Sequence, residues 1–146
     1  MNNLPPPTFL VKATSHPADR PDLKQRTGRD CTRCSLAWLF KLNYEDVPDF
    51  EAGTEAYYGN VQAWLHTRGY AMVSFRWDQV VFDWFGKVKV HCLLSAKSKN
   101  FADALHHVVG RFEFKDDAVY IYVDWDPAVS TDGIYDIVSV DLLVRL

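Results

Sequence analysis

No stretch of this chain approaches the about 18 consecutive apolar residues that a membrane-spanning helix needs, and its first residues carry no secretory apolar run. Cysteine is scarce and odd in number, three in 146 residues. In a chain read as unsecreted, that argues against a disulfide scaffold and for a reducing cytoplasm. No block of Lys and Arg is dense enough to track a phosphate backbone, and the net charge of −3 is dispersed. Nucleic acid and membrane are therefore not expected partners. No internal repeat is visible. What the chain has in quantity is apolar surface, 48% of residues, enough for one sizeable core in one domain. The expected division is an irregular Pro-rich arm over 1–24, opening Met1-Asn2-Asn3-Leu4-Pro5-Pro6-Pro7, and one folded unit over 25–146.

The arm has room for a short strand at Thr8–Lys12. Regular structure begins after Thr27-Gly28-Arg29-Asp30, with Asp30 as the expected N-cap of a helix. Apolar or small residues at Cys31, Cys34, Ser35, Trp38, Leu39 and Leu42 mark one helical face, and Asn43 to Pro48 end it. A second helix is expected from Thr54 or Glu55 to Arg68, with Tyr58, Val61, Trp64 and Leu65 inward and Gly69 as its stop. Beyond Gly69, β-branched and aromatic residues predict strands over Tyr70–Trp77, Lys87–Ser95, Leu105–Phe114, Ala118–Trp125 and Tyr135–Arg145. Asp78–Gly86 reads equally as short helix or loop. Helices followed by strands indicate an α+β fold, with the N-terminal helices packed on an antiparallel sheet.

Chemistry gathers at the first helix. A thiol attacks as thiolate, and a helix start or a neighbouring imidazolium lowers its ordinary pKa of about 8.5. Cys31 stands at the helix start, with Gln25 six residues upstream as a candidate oxyanion donor beside the Cys31 backbone N–H. Histidines at His106 and His107 and an acid at Asp126 follow in chain order, as base and orienter. The roles read as Cys31 nucleophile, His106 or His107 base, Asp126 orienter and Gln25 oxyanion donor.

The hairpin register decides between the histidines. A three-residue loop over Lys115-Asp116-Asp117 sets His106 opposite Asp126, about 4.5–5.5 Å away at Cα. A two-residue turn at Asp116-Asp117 sets His107 there, and a bulge exchanges them.

The segments Gly28-Arg29-Asp30-Cys31, Asn43-Tyr44-Glu45-Asp46-Val47-Pro48, His106-His107-Val108-Val109-Gly110 and Asp126-Pro127 resemble a family of small papain-like proteins of bacteriophages and bacteria. That family reads GDC, an alanine- and leucine-rich helix, EDVP, HAVVG and a DP pair. It is similar in turn to bacteriocin-processing cysteine peptidases, which carry a glutamine shortly before their DC pair, then His, then Asp. The resemblance spans roughly residues 25–130 and implies a papain-like fold and a cysteine hydrolase with a peptide or protein substrate and no cofactor. It places His106 on the family histidine, His107 where the family has alanine, and Asp126 on the acid. Departures are the longer segment after Ser95 and the residues Cys34 and Trp38 in the helix.

Other readings stand beside this one. The same fold can serve as a non-catalytic binding or accessory module with Cys31 packed as a small apolar group. Cys31-Thr32-Arg33-Cys34 is also a C-x-x-C, readable as a redox pair or, with Cys92 and a histidine, as a zinc site. No second C-x-x-C completes the zinc pattern. His91, beside Cys92, is expected in the core, His107 as a solvent-facing or packed strand residue, and His16 and His66 on the surface. Trp77, Phe82, Trp84 and Phe85 read as core aromatics or as the edge of a peptide groove. The position of the arm just before Gln25 raises the idea of a strap across the cleft.

Overall fold

A computed structural model describes residues 8–11, 19–77, 90–98, 105–115, 118–128 and 134–146. Strand β1 (Thr8–Val11) is followed by a 3₁₀ turn (Pro21–Leu23), helix α1 (Cys31–Phe40), a 3₁₀ turn (Tyr44–Asp46) and helix α2 (Tyr57–Thr67). Strands β2 (Tyr70–Arg76), β3 (Val90–Ser98), β4 (Leu105–Lys115), β5 (Ala118–Trp125) and β6 (Ile134–Arg145) complete the chain. The fold is α+β, as the order of patterns predicts. One sheet runs β1-β5-β4-β3-β6-β2. β2 to β6 pair antiparallel, and β1 lies parallel to β5, Thr8 beside Val119 and Val11 beside Tyr122. This part of the arm is thus an outer strand rather than a strap. Residues 12–18, including His16, and the aromatics Phe82, Trp84 and Phe85 lie outside the described residues.

Period-2 alternation gives the sheet two apolar faces. Leu93, Val109 and Trp125 face the helices and meet Cys34, Leu36, Ala37, Val61 and Leu65. Trp38 stacks on Trp125 with ring centroids 6.1 Å apart. Cys92, Leu94, Val108, Phe112, Ile121 and Val140 form a second cluster on the other face, where Trp77 stacks on Phe112. Helix α1 buries Cys31, Cys34 and Ser35 of the anticipated stripe together with Thr32, Leu36 and Ala37, while Trp38, Leu39 and Leu42 are half-buried. Lys41, left-handed at φ 55°, closes α1, and Gly69 at φ +79° closes α2 as its position predicts.

Two helix expectations need correction. α2 begins at Tyr57 rather than at Thr54 or Glu55, and of its two tyrosines Tyr57, four residues before Val61, takes the inner side while Tyr58 is 58% exposed. Asp30 occupies the N-cap position, but its carboxylate makes no cap bond. It turns back instead, accepting the N–H groups of Arg26 (3.0 Å) and Thr27 (3.1 Å) and the Tyr44 hydroxyl (2.8 Å). Asp30 therefore fixes the loop between Gln25 and Cys31.

The hairpin also differs from the three-residue reading. Lys115 pairs with Ala118, the register of a two-residue turn, but a bulge between Val109 and Gly110 shifts the pairing so that Val109 meets Trp125. Continued past the strand end, the shifted register sets Asp126 level with Val108, on the side that His106 shares by alternation.

Candidate active site

β5 stops pairing at Trp125, opposite Val109, while β4 begins at Leu105. The first residues of β4 thus overhang β5, and their free edge receives the start of α1. The His107 backbone N–H points to Cys31 Sγ at 3.5 Å, and Ser35 Oγ donates to the His107 carbonyl at 3.3 Å. These contacts seat the thiol at the peptide between the two histidines. The thiol is 8% exposed.

Alternation along β4 sends the histidines to opposite sides. His106 Nε2 lies 2.7 Å from Asp126 Oδ1. His106 also interacts with the Cys31 side chain, each shifting the other's pKa; with Nε2 engaged by Asp126, Nδ1 is the nitrogen left for sulfur. Asp126 is fully buried. Its Oδ1 accepts the Ala128 N–H at 2.8 Å, and its Oδ2 has no partner among the described residues. Burial acts to raise the Cys31 thiol, but the His106 hydrogen bond, the charges of His107 and His106 and the His107 N–H outweigh it and lower the thiol to about 7. Burial acts to lower His106, but the bonds to Asp126 and Cys31 and the charges of both raise it to about 9.

His107 is neither solvent-facing nor simply packed. Its Nε2 lies 3.1 Å from Asp141 Oδ2 of β6, and its Nδ1 lies 2.6 Å from Thr32 Oγ1 and 3.3 Å from the Tyr57 hydroxyl. Thr32 and Tyr57 are themselves hydrogen-bonded. Burial opposes a charge on His107, yet Asp141 and Cys31 raise its pKa. A cleft of about 320 Å3 opens over this corner, lined by Cys31, Thr32, Tyr57, Ser95, Leu105 and His107 among others. A larger cavity of about 740 Å3 adjoins it through Gly28, Arg29 and Ala52.

Of the four residues singled out in the sequence, the structure brings Cys31, His106 and Asp126 together: His106 is hydrogen-bonded to Asp126, and Cys31 lies at the His107 backbone N–H and shifts the His106 pKa. Gln25 is half-buried and tethered by its backbone N–H to the Pro127 carbonyl at 2.9 Å. It is brought beside Asp126-Pro127 and is not part of the described cleft lining. Sequence reasoning missed Asp141, Thr32 and Tyr57. The available signal was an acid at an inward position of β6, paired with Leu93. His91 is not core. It is exposed and lies 3.3 Å from Asp124, on the face it shares with Leu93 by alternation but beside the polar residues Arg111 and Asp124. His66 is exposed, as expected. All three cysteines are free, and among the described residues no group of three or more His, Cys, Asp or Glu is placed to hold a metal ion. No described helix is long and apolar enough to cross a membrane.

The chain matches no family model, no curated protein and no solved structure.

Proposed function

We infer that the chain is a papain-like cysteine hydrolase, akin to the small phage and bacterial proteins its motifs resemble, acting on an amide or other acyl carbon of a peptide or protein. The observation that carries this reading is the disposition of His106, whose Nε2 lies 2.7 Å from the buried Asp126 Oδ1, in a corner where the neighbouring His107 N–H points to Cys31 Sγ at 3.5 Å. Asp126 fixes the tautomer and supports the imidazolium, and the imidazolium supports the thiolate.

In the reaction, the Cys31 sulfur forms a bond to the acyl carbon and the carbonyl electron pair moves to oxygen. The Cys31 backbone N–H and the Gln25 amide are the donors assigned to that oxyanion. Collapse of the intermediate breaks the bond to the leaving amine, which takes the His106 proton. Water then attacks the thioester while His106 accepts its proton, and the acid product leaves. An amine in place of water gives acyl transfer.

The test is the pH dependence of iodoacetamide modification of Cys31, read by peptide mass spectrometry, in wild type and His106→Ala. An inflection near 7 that rises in the variant supports the thiolate–imidazolium pair. A slow, normally titrating thiol in both proteins rejects it. That result favours a non-catalytic module.

A further inference from the structure

Thr32 Oγ1, the Tyr57 hydroxyl and His107 Nδ1 form a closed cluster whose hydrogens can be counted. Thr32 and Tyr57 each bring one hydroxyl hydrogen, and Nδ1 brings one or none. With Nδ1 bare, Tyr57 donates to Thr32 and Thr32 donates to Nδ1 at 2.6 Å. Every hydrogen then stays within the cluster. With Nδ1 protonated, it donates to Thr32 and one of the two hydroxyl hydrogens has no acceptor left among the three; where Thr32 donates to Tyr57, that hydrogen is Tyr57's. Tyr57 lines the cleft with Cys31, so that hydrogen is directed to whatever occupies the cleft.

The groups that set the charge on His107 come from four elements. Cys31 lies at the start of α1, Tyr57 on α2, His106 beside it on β4, and Asp141 on β6. Asp141 is buried and accepts from Nε2 at 3.1 Å, which favours the imidazolium. Burial pushes the Tyr57 phenol well above its ordinary range, so it remains a donor at any working pH.

We propose that Tyr57 donates a hydrogen bond to the oxyanion formed in the cleft, and that His107, Thr32 and Asp141 are positioning residues that turn its hydroxyl there. The inference rests on Cys31 acting as nucleophile. No proton leaves Tyr57: sulfur bonds to the acyl carbon, the carbonyl electron pair moves to oxygen, and Tyr57 O–H bridges to that oxygen until the leaving group departs.

Two thiol probes separate this role from a structural one. p-Nitrophenyl acetate acetylates Cys31 through an oxyanion and releases p-nitrophenolate. Iodoacetamide alkylates the same sulfur at a saturated carbon and forms no oxyanion. Tyr57→Phe is expected to slow acetylation by roughly 10²-fold, the loss typical of one oxyanion donor, while alkylation keeps its wild-type rate. Thr32→Val, which breaks the relay while leaving the Tyr57 hydroxyl in the protein, should lower the acetylation-to-alkylation ratio in the same direction. In wild type the ratio should fall as pH rises and His107 loses its proton. In Asp141→Asn it should be low from the outset and flat. Equal ratios in Tyr57→Phe and wild type, with Cys31 still reactive to both probes, would overturn this inference alone. A wild-type Cys31 inert to both probes would overturn the hydrolase reading and this inference with it.

Discussion

His106 Nε2 meets Asp126 Oδ1 at 2.7 Å, and that same oxygen accepts the Ala128 N–H at 2.8 Å. One carboxylate oxygen thus ties the imidazole to the turn that follows β5. Asp126→Asn keeps an acceptor for the turn but removes the charge that raises His106. The expected result is a lower His106 pKa and a Cys31 inflection displaced from about 7 toward the ordinary thiol value. At pH 7.5 alkylation should then slow by roughly tenfold, the fraction lost when a thiol pKa rises by about one to two units. Iodoacetamide titration of the purified variant measures this, and an unmoved inflection would remove Asp126 from the pair.

The reactive ion pair should occupy a bounded pH window. Cys31 loses its proton at about 7 and His106 at about 9, so single-turnover acylation should follow a bell with limbs near those values. Stability behaves differently. His106 is raised from its ordinary 6.5, so its contribution is full below about 6.5 and is lost as pH rises through about 9. Cys31 is lowered from 9.0, so its contribution is present above about 9 and is lost as pH falls through about 7. The slopes are opposite and nearly cancel between those limits. His107, also raised, is left to make the fold lose stability with rising pH. Urea midpoints from pH 6 to 9 should fall in wild type and flatten in His107→Gln.

The three thiols should separate sharply. Cys34 and Cys92 are fully buried. Burial raises both, with the charges of Asp30 and Cys31 adding for Cys34 and those of Asp141 and Asp124 for Cys92. Native protein at pH 7.5 should therefore incorporate one equivalent of label at Cys31, and the other two only in denaturant. Labelling of Cys34 in step with Cys31 would revive a C-x-x-C redox reading.

Much of this arrangement is legible in the chain. Turn signals flanking β-branched runs give β5 its bounds, and the start of α1 at Cys31 follows from the 3.6-residue spacing. The chain order of Cys31, His106 and Asp126 points to their meeting. The buried His107–Asp141 pair was hidden because partners 34 residues apart are joined only by the strand order β4-β3-β6. Tyr57 was hidden because Tyr57 and Tyr58, four and three residues before Val61, both lie near its helical face, and the spacing alone does not choose between them. The bulge had a local mark after all, a glycine inside a strand pattern at Gly110.

Gly110 carries the last prediction. It pairs with Cys92 on one side and Val123 on the other, immediately after the bulge. A Cβ there would stand 2.4 Å from Leu94 Cδ1 and 2.5 Å from Leu94 Cγ, with Cys92 Sγ at 3.3 Å. Leu94 is fully buried in the cluster away from the helices and cannot swing out. Gly110→Ala should cost about 1–3 kcal/mol through overpacking, measured by urea unfolding. Because the clash is with the Leu94 side chain, adding Leu94→Ala should make the double variant lose less than the sum of the singles. Strain at Gly110 is also strain at the bulge that carries Asp126 to His106, so Gly110→Ala should raise the Cys31 inflection while Leu94→Ala alone leaves it near 7. A stability loss with no change in Cys31 titration would show that the bulge and the site are held independently.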